Sequence, residues 1–237
     1  MKARRIIFLL AFAMCAWSTR GETPPAGTRV YYLVFIRPDP ARTARPLEER
    51  QKIMDRHMAY IHKMADDGVL AAAGPFDDTP VTISGIFVIK ANSLEEAQAI
   101  AAKDPTVTEH RNTIDTHPWR TPPGIGDAYF KWKKENPKAE DAMASHVLVI
   151  LGKDPKWKDS PGSAQTVREF IERAHQAGVL AVAGMIDDDP VIAAVCVFKA
   201  ASIDDARKYL AGDPALAQGA FPEEFHVWWS ADRVLPW

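Results

Sequence analysis

The chain has 237 residues, with 29 Lys and Arg against 31 Asp and Glu, a formal net charge of −2. Hydrophobic residues at 47% and charged residues at 25% exclude a disordered chain, and the near-balanced charge excludes a surface built to grip phosphates, so no nucleic-acid partner is expected. The two cysteines, Cys15 and Cys196, exclude a disulfide scaffold and a cysteine-rich zinc site.

Residues 1–21 have the layout of a secretory signal: Lys2, Arg4 and Arg5, then the apolar run Ile6 to Trp17, then polar Ser18 to Gly21. The apolar run is too short to cross a bilayer comfortably, and no later segment is long and apolar enough to do so. A periplasmic or secreted protein is therefore expected. Lipid anchoring through Cys15 is the alternative, although Met14 before it is bulky for a lipobox.

The rest of the sequence repeats. Gly68 to Val81 aligns with Gly178 to Val191 at ten identities in fourteen positions, and Phe87 to Ser93 aligns with Cys196 to Ser202. Asp104-Pro105 recurs as Asp213-Pro214, and His117-Pro118-Trp119 as His226-Val227-Trp228. Two copies are too few for a solenoid, and each is long enough to be a small domain, one over 29–119 and a degenerate one over 144–231.

In chain order, Tyr31 to Ile36 is an apolar run that predicts a central strand. A helix over 47–66 follows, with Ile53, His57, Ile61 and Met64 on one face and Gly68 as its stop. Val69 to Gly74 and Val81 to Ala91 predict two strands around an Asp- and Pro-bearing turn. Ser93 to Glu96 is a capping box for a second helix, and a strand over 113–119 closes the unit. Residues 120–143, with Pro122, Pro123, Gly124, Gly126 and a charged stretch, are expected to be a linker. The second copy repeats the order: strand 147–151, helix 163–177, Gly178, two strands, a helix from Ser202 and a strand over 224–230.

The order βαββαβ is that of a ferredoxin-like α+β unit with both helices on one face of an antiparallel sheet. Its open face is too apolar to stay exposed, so the two units are expected to pack sheet to sheet as a pseudo-dimeric α+β barrel within one chain. The particle is then a monomer of that form, or a homodimer of it.

Three features of the first copy resemble the YciI-like (YCII-related) domains of the dimeric α+β barrel superfamily: His57 eleven residues before Gly68, the Gly74-Pro75 pair, and Asp104-Pro105. The resemblance covers about 29–119, and more weakly 144–231. It implies the barrel fold, and a cleft in which the helix histidine and the aspartate before proline, here His57 and Asp104, form an active-site pair. The family often has a serine near the cleft; Ser84 lies nearby, but Ser84-Gly85 does not reproduce that pattern cleanly.

On its own chemistry His57 is either a general acid or base steered by a carboxylate, or an inert polar residue at the edge of an apolar stripe. His62 falls elsewhere on the helix and is expected to be solvated, and the acidic turns Asp77-Asp78 and Asp187 to Asp189 are expected to be ordinary turn carboxylates. Trp119, Trp228 and Trp229 are expected in the core or the sheet interface. No dinucleotide fingerprint, P-loop or metal-ligand spacing occurs, so no cofactor and no metal are expected. Two function classes follow: a cofactor-free small-molecule enzyme in which His57 moves a proton while Asp104 holds its tautomer, or a non-catalytic small-ligand-binding protein of the cell envelope. The second copy keeps Asp213 but has Val167 where the first has His57, which places any chemistry in the first copy and predicts that Asp213→Ala is silent.

Overall fold

A computed structural model describes residues 27–156 and 162–236. The signal-like start and Cys15 lie outside the described residues. Among those described, no helix is long and apolar enough to cross a membrane.

The elements run β1 (Arg29–Pro38), α1 (Leu47–Asp66), β2 (Leu70–Pro75), β3 (Gly85–Ile89), α2 (Leu94–Ala101), α3 (Pro105–Thr108) and β4 (Asn112–Thr121). After α4 (Asp127–Glu135) the order recurs as β5 (Met143–Gly152), α5 (Ser163–Gln176), β6 (Leu180–Ile186), β7 (Ile192–Phe198), α6 (Ile203–Ala211), a short 3-10 turn and β8 (Glu223–Ala231). Helix ends follow the local chemistry. Gly68 and Gly178 take φ of +73° and +72° just past α1 and α5, a conformation that costs glycine nothing. Ser93 and Ser202 cap α2 and α6 by accepting the backbone N–H groups of Glu96 and Asp205.

The eight strands form one antiparallel sheet in the order β2-β3-β1-β4-β6-β7-β5-β8, which curls into a nearly closed barrel. The two halves therefore meet face to face across a shared core and also edge to edge. At one seam β4 pairs with β6 through Trp119–Ile186 and Arg120–Met185; at the other, Phe76 bridges Trp228. Gly74 and Gly184 make both seams possible, since a Cβ on either would collide with the backbone carbonyl of Trp229 or Arg120. A buried histidine also reaches across each seam: Nδ1 of His117 faces Asp188, and Nδ1 of His226 faces Asp78.

Strand alternation sorts the core into three layers. Tyr31, Leu33 and Phe35 of β1 point into the barrel with Leu148 and Ile150 of β5. Tyr32, Val34 and Ile36 point out against Met64 of α1 and Ala97 and Ala101 of α2. Val147, Val149 and Leu151 pack against Val167, Phe170 and Ala174 of α5, a layer that also holds Cys196, whose thiol burial pushes up to about 12.

The structure departs from the sequence expectation in two places. Strand β3 begins at Gly85 rather than Val81, because Pro80 to Thr82 are exposed and Ser84 makes the first backbone bond, to Ile36. The segment taken as a linker holds a helix, with β4 running on to Thr121 and β5 starting at Met143. Its aromatic residues anchor it: Arg233 lies over Trp132 and Lys90 over the ring of Phe130, while Gly126 donates to the Val234 carbonyl.

Candidate active site

His57 sits on the face of α1 that turns toward the sheet, one turn after buried Ile53 and two turns before buried Met64. Asp104 lies at the end of α2, where it caps α3: its Oδ1 accepts from the backbone N–H of Thr106 at 2.8 Å and from the Thr106 hydroxyl at 2.6 Å. Pro105 fits the first helical position because its missing N–H is not needed there. The Asp-Pro pair is thus a helix start, and that start aims the other carboxylate oxygen at α1.

Oδ2 of Asp104 lies 2.6 Å from Nδ1 of His57. The Asp104 side chain is fully buried, and that of His57 keeps 15% of its surface exposed. A carboxylate already accepting two hydrogen bonds takes a third from an Nδ1–H, which sets the tautomer of the neutral ring and leaves Nε2 as the nitrogen available to a ligand. The ring is backed by Phe87, stacked at 6.0 Å between centroids and 26° between planes.

The surrounding elements are braced. Glu109 accepts from Arg45 and Arg56, tying the end of α3 to the segment just before α1 and to the middle of that helix, and these hydrogen bonds hold its carboxyl below the usual range. The Tyr60 hydroxyl donates to the Ile100 carbonyl at 2.8 Å; burial, with Asp104 nearby, raises its phenol, so it stays a donor.

His57 lines a cavity of about 350 Å³ together with Ser84, Asn112 and apolar residues of α1, β2 and β3. Ser84 Oγ lies 3.4 Å from Asn112 Oδ1, so the structure brings this serine to the cleft although its sequence context did not settle its role. His62 is exposed, as expected, yet it also lines the cavity rim. Trp119 and Trp228 are buried at the two seams, while Trp229 is 37% exposed. Among the described residues no group of three or more His, Cys, Asp or Glu side chains is placed to hold a metal ion.

The second half differs at the matching place. Asp213 again caps a turn, accepting from the N–H groups of Ala215 and Leu216, but its partner is Arg173, which donates from Nε at 3.1 Å and Nη2 at 3.0 Å. Burial pushes the Asp213 carboxyl up, and the Arg173 hydrogen bonds with the two backbone N–H groups outweigh it, leaving the group below its ordinary value. Val167, at the position of His57, is fully buried in the core.

The YCII-related domain family matches this chain over residues 30–115, the span that holds both members of the His57–Asp104 pair. The first unit is a YCII-related domain. No curated protein matches the sequence. Among solved structures, a chlorite dismutase variant from Candidatus Nitrospira defluvii in complex with cyanide is similar at 11% identity, over 85% of this chain and 90% of that one, with a TM-score of 0.53. A putative chlorite dismutase is similar at 9% identity, over 87% and 94%, with a TM-score of 0.54. A novel heme-binding protein from Thermus thermophilus is similar at 15% identity, over 89% and 96%, with a TM-score of 0.51. At these identities the likeness is one of fold: the YCII-related domain and the second unit together form a dimeric α+β barrel within one chain.

Two features escaped the sequence. Arg173 was missed because it stands six residues after Val167 and reaches Asp213 from another turn of the helix. The seam histidines had a signal: the Asp-Asp turn and the His-x-Trp segment recur in both copies, which ties each to the pseudo-symmetric junction.

Proposed function

We propose that the chain is a small-molecule enzyme in which His57 moves a proton and Asp104 holds its ring. The observation that supports this best is the 2.6 Å contact from a fully buried, doubly bonded carboxylate to an imidazole that lines an apolar cavity. In the step proposed, Nε2 takes a proton from a C–H or O–H of the substrate, Asp104 stabilises the imidazolium, and the proton returns to another substrate atom. Phe87, stacked on the ring, restricts its orientation.

One structural neighbour is described as heme-binding. The residues here do not fit that group. Its propionates need cations, and none of the described residues lining the cavity is Lys or Arg. At the matching place in the second half Val167 stands instead of an imidazole, and Asp213 is held by Arg173.

The test is solvent deuterium incorporation into a panel of uncharged enolisable ketones, such as 2-tetralone, followed by NMR. Exchange catalysed by the full chain and lost in His57→Ala supports the enzyme. Ketone binding without His57-dependent exchange overturns it in favour of a non-catalytic binding protein. We also propose that the mature chain is periplasmic or secreted, on the charged-then-apolar pattern of residues 1–21. N-terminal sequencing of the cell-fractionated protein is expected to start near residue 22; Met1 retained on cytoplasmic protein overturns this.

A further inference from the structure

The cavity beside His57 extends well past the catalytic pair. It passes over the edge of β2, from Met54, Met58 and Ile61 on α1 to Tyr129 and Phe130 on α4 and Met143 at the start of β5. The far wall thus comes from outside the YCII-related domain. Carbon and sulfur dominate these walls, and the charged groups are few. His57 is already matched by Asp104, and His62 stands at the exposed rim. Among the described lining residues the one carboxylate, Asp141, takes the Lys133 ammonium at 2.9 Å. Beside it, burial and a hydrogen bond to Asp141 push the Tyr129 phenol up to about 12, so Tyr129 is an uncharged wall.

Charge selection follows from that lining. An ionised carboxylate or phosphate entering the cavity loses its hydration and meets no lysine or arginine among the described lining residues, whereas a hydroxyl or carbonyl needs a single partner, which Ser84 or Asn112 supplies. We propose that the cavity selects uncharged, largely apolar molecules bearing one hydroxyl or carbonyl group and rejects carboxylates and phosphates. The substrate class of the proton transfer described above is then neutral, and this rests on the same cavity being the active site. Met54 and Met58, 46% and 44% exposed at the mouth, give it walls that adapt to ligand shape.

Calorimetric titration of the full chain with 2-naphthol and 2-naphthoate at neutral pH tests this, because the two probes share a ring system and differ in charge. Naphthol is expected to bind more than about tenfold tighter than naphthoate, the cost of an unpaired buried carboxylate setting the gap. Met58→Lys places an ammonium at the mouth without touching the core, and is expected to shrink the gap by strengthening naphthoate. Naphthoate binding as tightly as naphthol, binding of neither probe, or a gap unmoved by Met58→Lys overturns the proposal. The readout is binding alone. Selectivity without deuterium exchange sinks the catalytic reading and leaves this one standing; exchange without selectivity does the reverse.

Discussion

The two halves of the barrel use one device for different ends. Each has a buried aspartate ahead of a proline, capping a short turn at the end of its second helix and reaching toward its first. In the first half the aspartate meets an imidazole beside a cavity; in the second it meets a guanidinium that closes a bidentate ion pair. An imidazole gains and gives up protons near neutral pH, and an arginine does not. The same backbone thus frames an imidazole–carboxylate pair beside a cavity in one copy and a fixed strut in the other. The barrel needs both copies, whereas the proposed chemistry calls on only the first.

That contrast can be pressed by mutation. The largest effect is expected from His57→Ala, which should lower turnover by about 10²–10⁴-fold, the range for losing a general base, while thermal denaturation shifts little. Asp104→Ala should lose both turnover and stability, about 2–4 kcal/mol by denaturant titration, because it strips three hydrogen-bond donors of a buried acceptor. Asp213→Ala should leave turnover intact and cost about 1–2 kcal/mol, held down by the partial exposure of Arg173. The substitution is thus expected to be silent in turnover but not in stability. Equal turnover losses in the two aspartate variants would erase the distinction between the halves.

The Asp213 pair also carries a pH signature. Its carboxyl is lowered in the folded state, so the stability it adds is fully present above the unfolded carboxylate value and is lost as pH falls through the folded value. Wild type and Asp213→Asn should therefore differ in stability at neutral pH and converge in acid. Smallest of all should be the helix caps: Ser93→Ala and Ser202→Ala are each expected to cost about 0.5–2 kcal/mol, and by similar amounts, because in this respect the two copies are alike.

Much of the frame was legible from residue patterns. The apolar runs at Tyr31 and Val147, the helix face of Ile53 to Met64 and the glycine stops each follow from local periodicity or backbone freedom, and the repeat implied a closed pair. The pairing of His57 with Asp104 is a contact across 47 positions of sequence, and only a family resemblance pointed to it. The Arg173 strut and helix α4 lay beyond pattern reading for a common reason. Long side chains such as Arg173 reach across helical turns, and aromatic anchors such as Phe130 and Trp132 hold a segment whose prolines, glycines and charges read as a linker.

The central claim is that His57 carries a base-ready nitrogen, and imidazole nitrogen NMR on isotopically labelled full-length chain addresses it without any substrate. In the neutral ring of His57, Nδ1 is expected to bear the proton and Nε2 to be bare, with Asp104→Asn disturbing that assignment and Asp213→Asn leaving it untouched. A neutral ring protonated at Nε2, or one indifferent to Asp104→Asn, would contradict the account.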